Sequence, residues 1–438
     1  MLDILTQKAD KIELLKFNTP AMRAFHITWL TFFLCFFSWF GIAPLMSVVR
    51  DELHLTKSQI GNIMLASVSI TLFARIFIGW VCDKIGPRIT YTILLTVGSL
   101  PVIFIGLSNS YESFLLFRLA IGVIGASFVI TQYHTTLMFS SKVVGTANAT
   151  AAGWGNLGGG VTQMVMPLIF GAFVAGGFAA SSAWRLSIMI PGVLLFIMGI
   201  VYFFSTQDTM EGNFSSLKIK QADSNKQKKP GFMEVCSNYR VWVLFLAYAA
   251  SFGVEITIDN IAALYFKDTF SLSLGQAGVI AGIFGLMNIF ARTLGGYLSD
   301  KVATRFGLNG RVSVLGIFLL LEGIGIILFS KMGILPLAII TMILFALFVK
   351  MSNGAAFSIV PFVNKKAVGV VSGIVGAGGN AGALLFTLLF KFEGISYQAA
   401  FFIIGGAVVV ISILNLFLRF SAQESAAPVV SMAVPEKA

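Results

Sequence analysis

Along most of this chain the apolar positions neither alternate nor form stripes; they run on for about 20 residues or more before a polar cluster interrupts them. A bilayer-spanning helix needs about 20 mostly apolar residues. Twelve such runs can be read, at residues 24–48, 58–82, 89–108, 112–138, 146–174, 184–205, 240–266, 274–299, 312–330, 334–361, 367–390 and 398–420. Runs of this length exclude a transmembrane barrel, whose strands read as short alternating segments. The longest polar stretch, Gln207–Asn238, is rich in Lys, Ser, Gln and Asn and divides the runs six and six. The pattern predicts an all-α membrane protein of two six-helix halves, 24–206 and 240–420. A polar segment (1–23) precedes them, a linker (207–239) joins them and a disordered tail (421–438) follows.

Composition agrees: 57% of the 438 residues are hydrophobic and 11% charged, outside the range of soluble domains. The net charge of +11 would fit a nucleic-acid binder, but its distribution says otherwise. Twenty of the 30 Lys and Arg residues fall on the side of the membrane that holds the N-terminus, six on the other, and Arg75, Arg118, Arg292 and Lys350 lie inside the runs. By the positive-inside rule both termini are cytoplasmic, which implies the cytoplasmic membrane and no nucleic-acid partner. Residues 1–23 are polar and the first run is long enough to span, so no cleavable leader is expected. Cys35, Cys82 and Cys236 are scattered and make neither a disulfide framework nor a metal site. With no nucleophile–base pair, metal cluster or cofactor motif to read, neither an enzyme nor a cofactor is expected.

The two halves repeat each other. "LFARIFIGWVCDK" (Leu72–Lys84) returns 217 positions later as "IFARTLGGYLSDK" (Ile289–Lys301), with Arg75, Gly79 and Asp83 matched by Arg292, Gly296 and Asp300. In each copy the arginine lies eight residues, about 12 Å, above the aspartate, near mid-membrane. An arginine there costs at least about 2.5–3.5 kcal/mol on insertion scales. The runs that line it hold no carboxylate above the cytoplasmic rim; Glu255, Asp259 and Glu322 are the acids well inside any run. A bound anion would relieve both arginines, and the planar guanidinium fork suits a small oxyanion. Charge alone does not decide between a monovalent anion and a phosphate.

"VGTANATAAGWGNLGG" (Val144–Gly159) and "VGVVSGIVGAGGNAGA" (Val368–Ala383) are a second repeat, glycine-dense in mid-helix, with Asn156 and Asn380 each eleven residues after Gly145 and Gly369. Small residues let helices approach closely in lipid, and each asparagine brings an amide to that approach. Together with the F-A-R segments, these signatures resemble the nitrate/nitrite porter family of the major facilitator superfamily, nearest to its plant- and algal-type high-affinity nitrate transporters. The likeness runs from about Phe25 to Phe420. It implies a fold of 12 transmembrane helices in two pseudo-symmetric halves, with the substrate at the midplane between them. It also implies that Arg75 and Arg292 clamp nitrate and Asn156 helps hold it, with Asn380 as the counterpart in the second half. Phe128 and Phe252 would be the ring walls and Tyr248 a hydroxyl donor, with Phe40 or Trp39 completing the box.

"GWVCDKIGPR" (Gly79–Arg88) matches the general major-facilitator loop, so Gly79, Asp83, Lys84, Gly86 and Arg88 are expected to latch the outward-open state. Gly296 and Asp300 repeat it before the sequence departs as "KVATRFG", implying a weaker or different latch. Gly155, Gly158 and Gly159 in segment five, and Gly379 and Gly382 in segment eleven, are expected to close the halves on the anion. Arg118 is expected to be structural. Lys350 and Glu322 differ in depth and are not expected to pair, and His134 reads as a satisfied histidine. The resemblance implies proton symport, with Glu255 as the candidate carrier set against a hydrated glutamate of the outer vestibule. The expectation is rocker-switch transport of nitrate, and of nitrite. The competing readings are nitrate/nitrite exchange, a carrier of formate, oxalate or an organic phosphate, and a transport-dead anion sensor. An accessory subunit is left open.

Overall fold

In lipid a chain satisfies its backbone only by hydrogen-bonding within the segment, so each apolar run is helical. Polar residues between runs mark the starts. Thr19 accepts from the Met22 amide, Thr56 and Gln59 close a capping box, and Asn238 and Ser396 cap the helices that follow them. The computed structural model describes residues 8–216, 232–272, 274–364, 367–391 and 394–421. The first half is α1 (Pro20–Phe40), α2 (Lys57–Ile85), α3 (Pro87–Phe104), α4 (Tyr111–Ile121), α5 (Ser127–Met138), α6 (Val144–Ala175) and α7 (Ala180–Ser205). The second is α8 (Tyr239–Phe270), α9 (Leu274–Leu286), α10 (Ala291–Ser330), α11 (Leu335–Val363), α12 (Val368–Lys391) and α13 (Tyr397–Leu414).

Among the described residues, eleven stretches have the length and hydropathy of a crossing. One of them, Gln276–Ser330, has 55 residues, about 80 Å of helix against a hydrocarbon core of about 30 Å. It breaks at Gly307, whose φ of 61° lies where a residue with a Cβ is strained. Two crossings meet there, which restores the twelve read from the sequence. The loop expected at 300–311 is therefore helical on both sides of one glycine.

Three runs expected to be single helices are interrupted, the first by a 3₁₀ turn at Ala43–Leu45. Between α4 and α5 the chain tightens into a 3₁₀ turn at Gly122–Ala126, and between α9 and α10 into another at Met287–Ile289. Between α4 and α5, Gly122 rests on the Ser67 backbone and Gly125 on the Trp39 ring, too close for a side chain at either. Carbonyls swung out by such a turn need partners. The Thr71 hydroxyl donates to Gly122 O (2.5 Å) and Arg75 Nε to Gly125 O (3.1 Å).

The halves meet where α2 packs on α12 and where α6 packs on α9 and α10. A Cβ on Gly369 would lie 2.6 Å from Gly79 O, one on Gly373 2.8 Å from Arg75 O, and one on Gly160 3.1 Å from the Gly285 Cα. Gly153 faces Asn288 and Arg292, and Gly296 faces Gly145. This corrects the sequence-based expectation for the other glycines. Gly155, Gly158 and Gly159 pack on Phe32, Phe33 and Phe40 of α1, inside their own half, and Gly379 and Gly382 pack on α8 inside theirs. Helical periodicity explains the division. Positions 369, 373 and 376 share one face, as do 153 and 160, while 155, 158 and 159 lie on another.

Residues 217–231 of the expected linker, the expected tail beyond 421 and residues 1–7 lie outside the described residues. Flanking the linker gap are a bridge between Thr209 and Gly212 and a short helix, Phe232–Cys236.

Candidate functional site

Arg75 on α2 and Arg292 at the start of α10 are both fully buried and arrive from opposite halves over the same two rings. The Arg75 guanidinium carbon is 5.1 Å from the Phe128 centroid and 5.0 Å from that of Phe252; for Arg292 the distances are 5.5 and 5.7 Å. Phe128 follows the 3₁₀ turn in the fourth segment and Phe252 lies on α8. Their rings are within 21° of parallel with centroids 5.8 Å apart. Tyr248, one turn before Phe252, stacks on it at 5.0 Å and accepts a 2.9 Å hydrogen bond from Arg292 Nη2. Phe357 of α11 closes the end, edge-on to Phe128 at 4.6 Å and to Tyr248 at 4.8 Å.

The guanidinium groups are only partly engaged. Arg75 donates through Nε to Gly125 O and through Nη1 to Gly376 O of the other half (2.5 Å), while its Nη2 has no hydrogen-bond partner. Arg292 Nε and Nη1 have none either. Leaving a buried N–H of a charged group unpaired costs more than about 1–3 kcal/mol, so both guanidiniums, set over the same two rings, keep an unmet demand for acceptors.

The expectation that no acid stands near the arginines does not hold. Glu255, on α8 one turn beyond Phe252, places Oε2 3.5 Å from Arg292 Nη1 and Oε1 2.7 Å from Lys350 Nζ. It comes from segment seven, outside the arginines' own segments, so its nearness to them is a matter of packing across the bundle. Asn288 and Asn156 donate to Oε1 at 3.0 and 3.3 Å, and Asn353 to Oε2 at 2.6 Å. Glu255 is 1% exposed, which removes the hydrated-vestibule reading for this conformation. Among the described residues Lys350 makes no ion pair with Glu322, and Glu255 is its partner.

Of the residues singled out from sequence, Arg75, Arg292, Phe128, Tyr248, Phe252 and Glu255 converge. Asn156 reaches Glu255 rather than an arginine. Asn380 is buried with neither amide atom hydrogen-bonded, next to Gly379, whose Cβ would meet the Phe252 and Tyr248 rings. Trp39 and Phe40 stand one ring away. Trp39 Nε1 donates to Ser67 Oγ (2.7 Å), Phe40 packs on Phe36, and Phe36 is the ring that nears Phe252, at 6.5 Å. Asn288, Asn353 and Phe357 were missed; no charge or repeat marked them. Arg118 donates to Trp39 O at 3.0 Å, and His134 is satisfied between Tyr202 Oη (2.6 Å) and Gln207 O (2.8 Å).

Both motif aspartates cross between halves at the same end of the molecule. Asp83 Oδ2 accepts from Val370 N (3.1 Å) in the first turn of α12. Asp300 Oδ2 accepts from Thr146 N and Oγ1 (2.6 Å each) in the first turn of α6, and its Oδ1 pairs with Arg311 at 2.5 Å. Carboxylates at helix N-termini satisfy free amides and oppose the dipole. Gly86 and Arg88 act within their own half. Gly86 turns the chain at φ 87°, Lys84 covers Trp80, and Arg88 donates from its backbone to Asp208 (2.8 Å) and from Nε to Phe203 O (2.8 Å). Burial raises the Asp208 carboxyl, and the Phe214 and Arg88 amides pull it partly back.

The model of the Major Facilitator Superfamily matches residues 28–363 and 244–431. The chain is 42% identical over 395 residues to high affinity nitrate transporter 2.5 of Arabidopsis thaliana, covering 89% of this chain and 78% of that one. It is 40% identical over 396 residues to high-affinity nitrate transporter 2.3 of Oryza sativa, covering 89% and 76%. Among solved structures, the proton:xylose symporter XylE bound to 6-bromo-6-deoxy-D-glucose superposes with a TM-score of 0.71 over 91% of this chain and 96% of that one. At 12% identity that likeness shows the fold alone.

Proposed function

The chain belongs to the Major Facilitator Superfamily and, within it, to the high-affinity nitrate transporters of plants and algae, and from that premise we propose that it carries nitrate bound between Arg75 and Arg292. It is a nitrate and nitrite carrier, not an enzyme. One observation supports the clamp above all. The same position of each half delivers a buried guanidinium to the same pair of rings, with Arg75 Nη2 and Arg292 Nε and Nη1 lacking acceptors. A flat oxyanion offers acceptors in one plane and a π face to the rings. With Glu255, Lys350 and both arginines ionised, the cluster carries +2, and a monovalent anion lowers it to +1. Asn156 and Asn380 flank the place and complete the shell.

The halves then rock about this point. Asp83 and Asp300 hold the cytoplasmic ends together, with both termini on that side by the distribution of Lys and Arg. Entry of a bare anion against a negative-inside potential is opposed by about 2.3 kcal/mol per 100 mV. Protons are the coupling ion in this reading, and Glu255 carries them, giving up its contacts to Lys350 and Arg292 when it takes one. In proteoliposomes a pH gradient alone then drives uphill nitrate uptake, and Glu255→Gln loses that uphill phase. Uptake indifferent to pH but dependent on internal nitrite establishes exchange instead.

The clamp is tested by Arg75→Lys and Arg292→Lys, which keep the charge and lose the fork. Losing one charge-assisted contact costs about 1.5–3 kcal/mol, or ten- to a hundred-fold in affinity. Calorimetry on purified protein is expected to show nitrate binding at least about tenfold weaker in each variant. Wild-type affinity in both removes the clamp. Formate, oxalate and organic phosphates belong in the same titration, and flux without counterion separates a carrier from a sensor.

A further inference from the structure

Lys350 enters the site without touching the place assigned to nitrate. It is fully buried on α11, with Nζ 2.7 Å from Glu255 Oε1 and 4.1 Å from the centre of the Phe284 ring. Glu255 is held on both oxygens by amides from three other elements, Asn156 on α6, Asn288 in the 3₁₀ turn and Asn353 on α11. Arg292 Nη1 stands 3.5 Å away, inside ion-pair range but making no hydrogen bond. The carboxylate thus faces two cations at unequal distance, and the nearer one is the lysine. Among the described residues, Glu255 is the ion-pair partner of both. Asp259 and Glu322 are close enough to feel the Lys350 charge, but neither pairs with Arg292.

The inequality matters because a carboxylate and nitrate compete for the same fork. Arginine and carboxylate favour a bidentate pair with two parallel N–H···O bonds, and a tethered carboxylate in that position would have to be displaced by every incoming anion. We propose that Lys350 is a positioning residue that holds Glu255 off Arg292 and so keeps the Arg292 fork open for the substrate anion. This rests on the reading of Arg75 and Arg292 as the clamp. Without the lysine charge, Arg292 is the remaining cation within ion-pair reach of Glu255, and a shift of under about 1 Å would bring Oε2 into hydrogen-bond distance.

The test is a double-variant cycle on the purified full-length chain, read as nitrate affinity by calorimetry with thermal unfolding alongside. Lys350→Met is expected to weaken nitrate binding about tenfold or more, because Glu255 closes on Arg292. Adding Glu255→Gln is expected to restore affinity to within about threefold of the wild type, since the neutral amide no longer competes. In the Glu255→Gln background, Lys350→Met should change little, since neither variant carries a carboxylate at position 255. If Lys350→Met is not recovered folded, Lys350→Gln takes its place, donating to Glu255 without charge. A purely structural lysine gives no rescue. Affinity unchanged in Lys350→Met, or a double variant that folds and binds no better than the single, overturns the proposal. Wild-type affinity in both Arg75→Lys and Arg292→Lys would overturn the clamp itself. Loss there with Lys350→Met unaffected removes the positioning role alone.

Discussion

The Phe128 and Phe252 rings are closer than a sandwiched anion allows. Their planes can be no farther apart than their centroids, 5.8 Å, whereas a flat ion in contact with both needs about 7 Å, two contacts of about 3.5 Å. In the proposed sandwich the rings part by about an ångström to admit nitrate, and Tyr248 and Phe357, which brace them, would set how easily they do. Tyr248→Phe removes the acceptor from Arg292 Nη2 but keeps the stack. It is expected to weaken nitrate binding by about two- to tenfold, the worth of one hydrogen bond of about 0.5–1.5 kcal/mol, when titrated against the wild type. Arg118→Lys, whose residue serves the Trp39 carbonyl, should leave the nitrate isotherm nearly unchanged. The arginines were legible because the chain states them twice. Lys350 was visible as a buried charge but not its partner, because depth along one helix says nothing about which side chain faces it across the bundle. Asn288, Asn353 and Phe357 carried no signal of charge, repeat or spacing.

For the helices, the sequence displayed the glycine density of α6 and α12 and hid its division into faces. The division was written in the spacing of 369, 373 and 376, but only a partner on the far side tells a face between halves from one within a half. The breaks at Gly122–Ala126, Met287–Ile289 and Gly307 were also beyond reach, since each depends on what the backbone rests against. Replacing Gly373 by alanine sets a methyl 2.8 Å from Arg75 O, backbone that cannot swing aside. Such a variant is expected to insert and fold while losing most transport, as flux per molecule in proteoliposomes will show. Gly61→Ala and Gly171→Ala, with nothing within 4 Å of the new methyl, serve as controls and should transport like the wild type. Loss of flux in the controls as well would mean that glycine serves helix insertion rather than approach of the halves.

In the whole molecule, the two-half architecture was legible from run lengths and the repeats. The state of the molecule was not, because it depends on contacts between the halves rather than on their content. Here those contacts are protein to protein. Arg75 donates at once to Gly125 of its own half and Gly376 of the other, and both aspartates end on amides of the opposite half. Each of these cross-half bonds is made by the protein's own groups at both ends. The consequence is kinetic. A carrier whose halves are joined by such bonds of its own is expected to make its return journey unladen, and its turnover then needs no passenger in the opposite direction. Vesicles loaded with buffer free of nitrate and nitrite should fill with nitrate under a pH gradient as fast as vesicles preloaded with nitrite. An acceleration by internal nitrite would instead place the slow step of the cycle in the empty return.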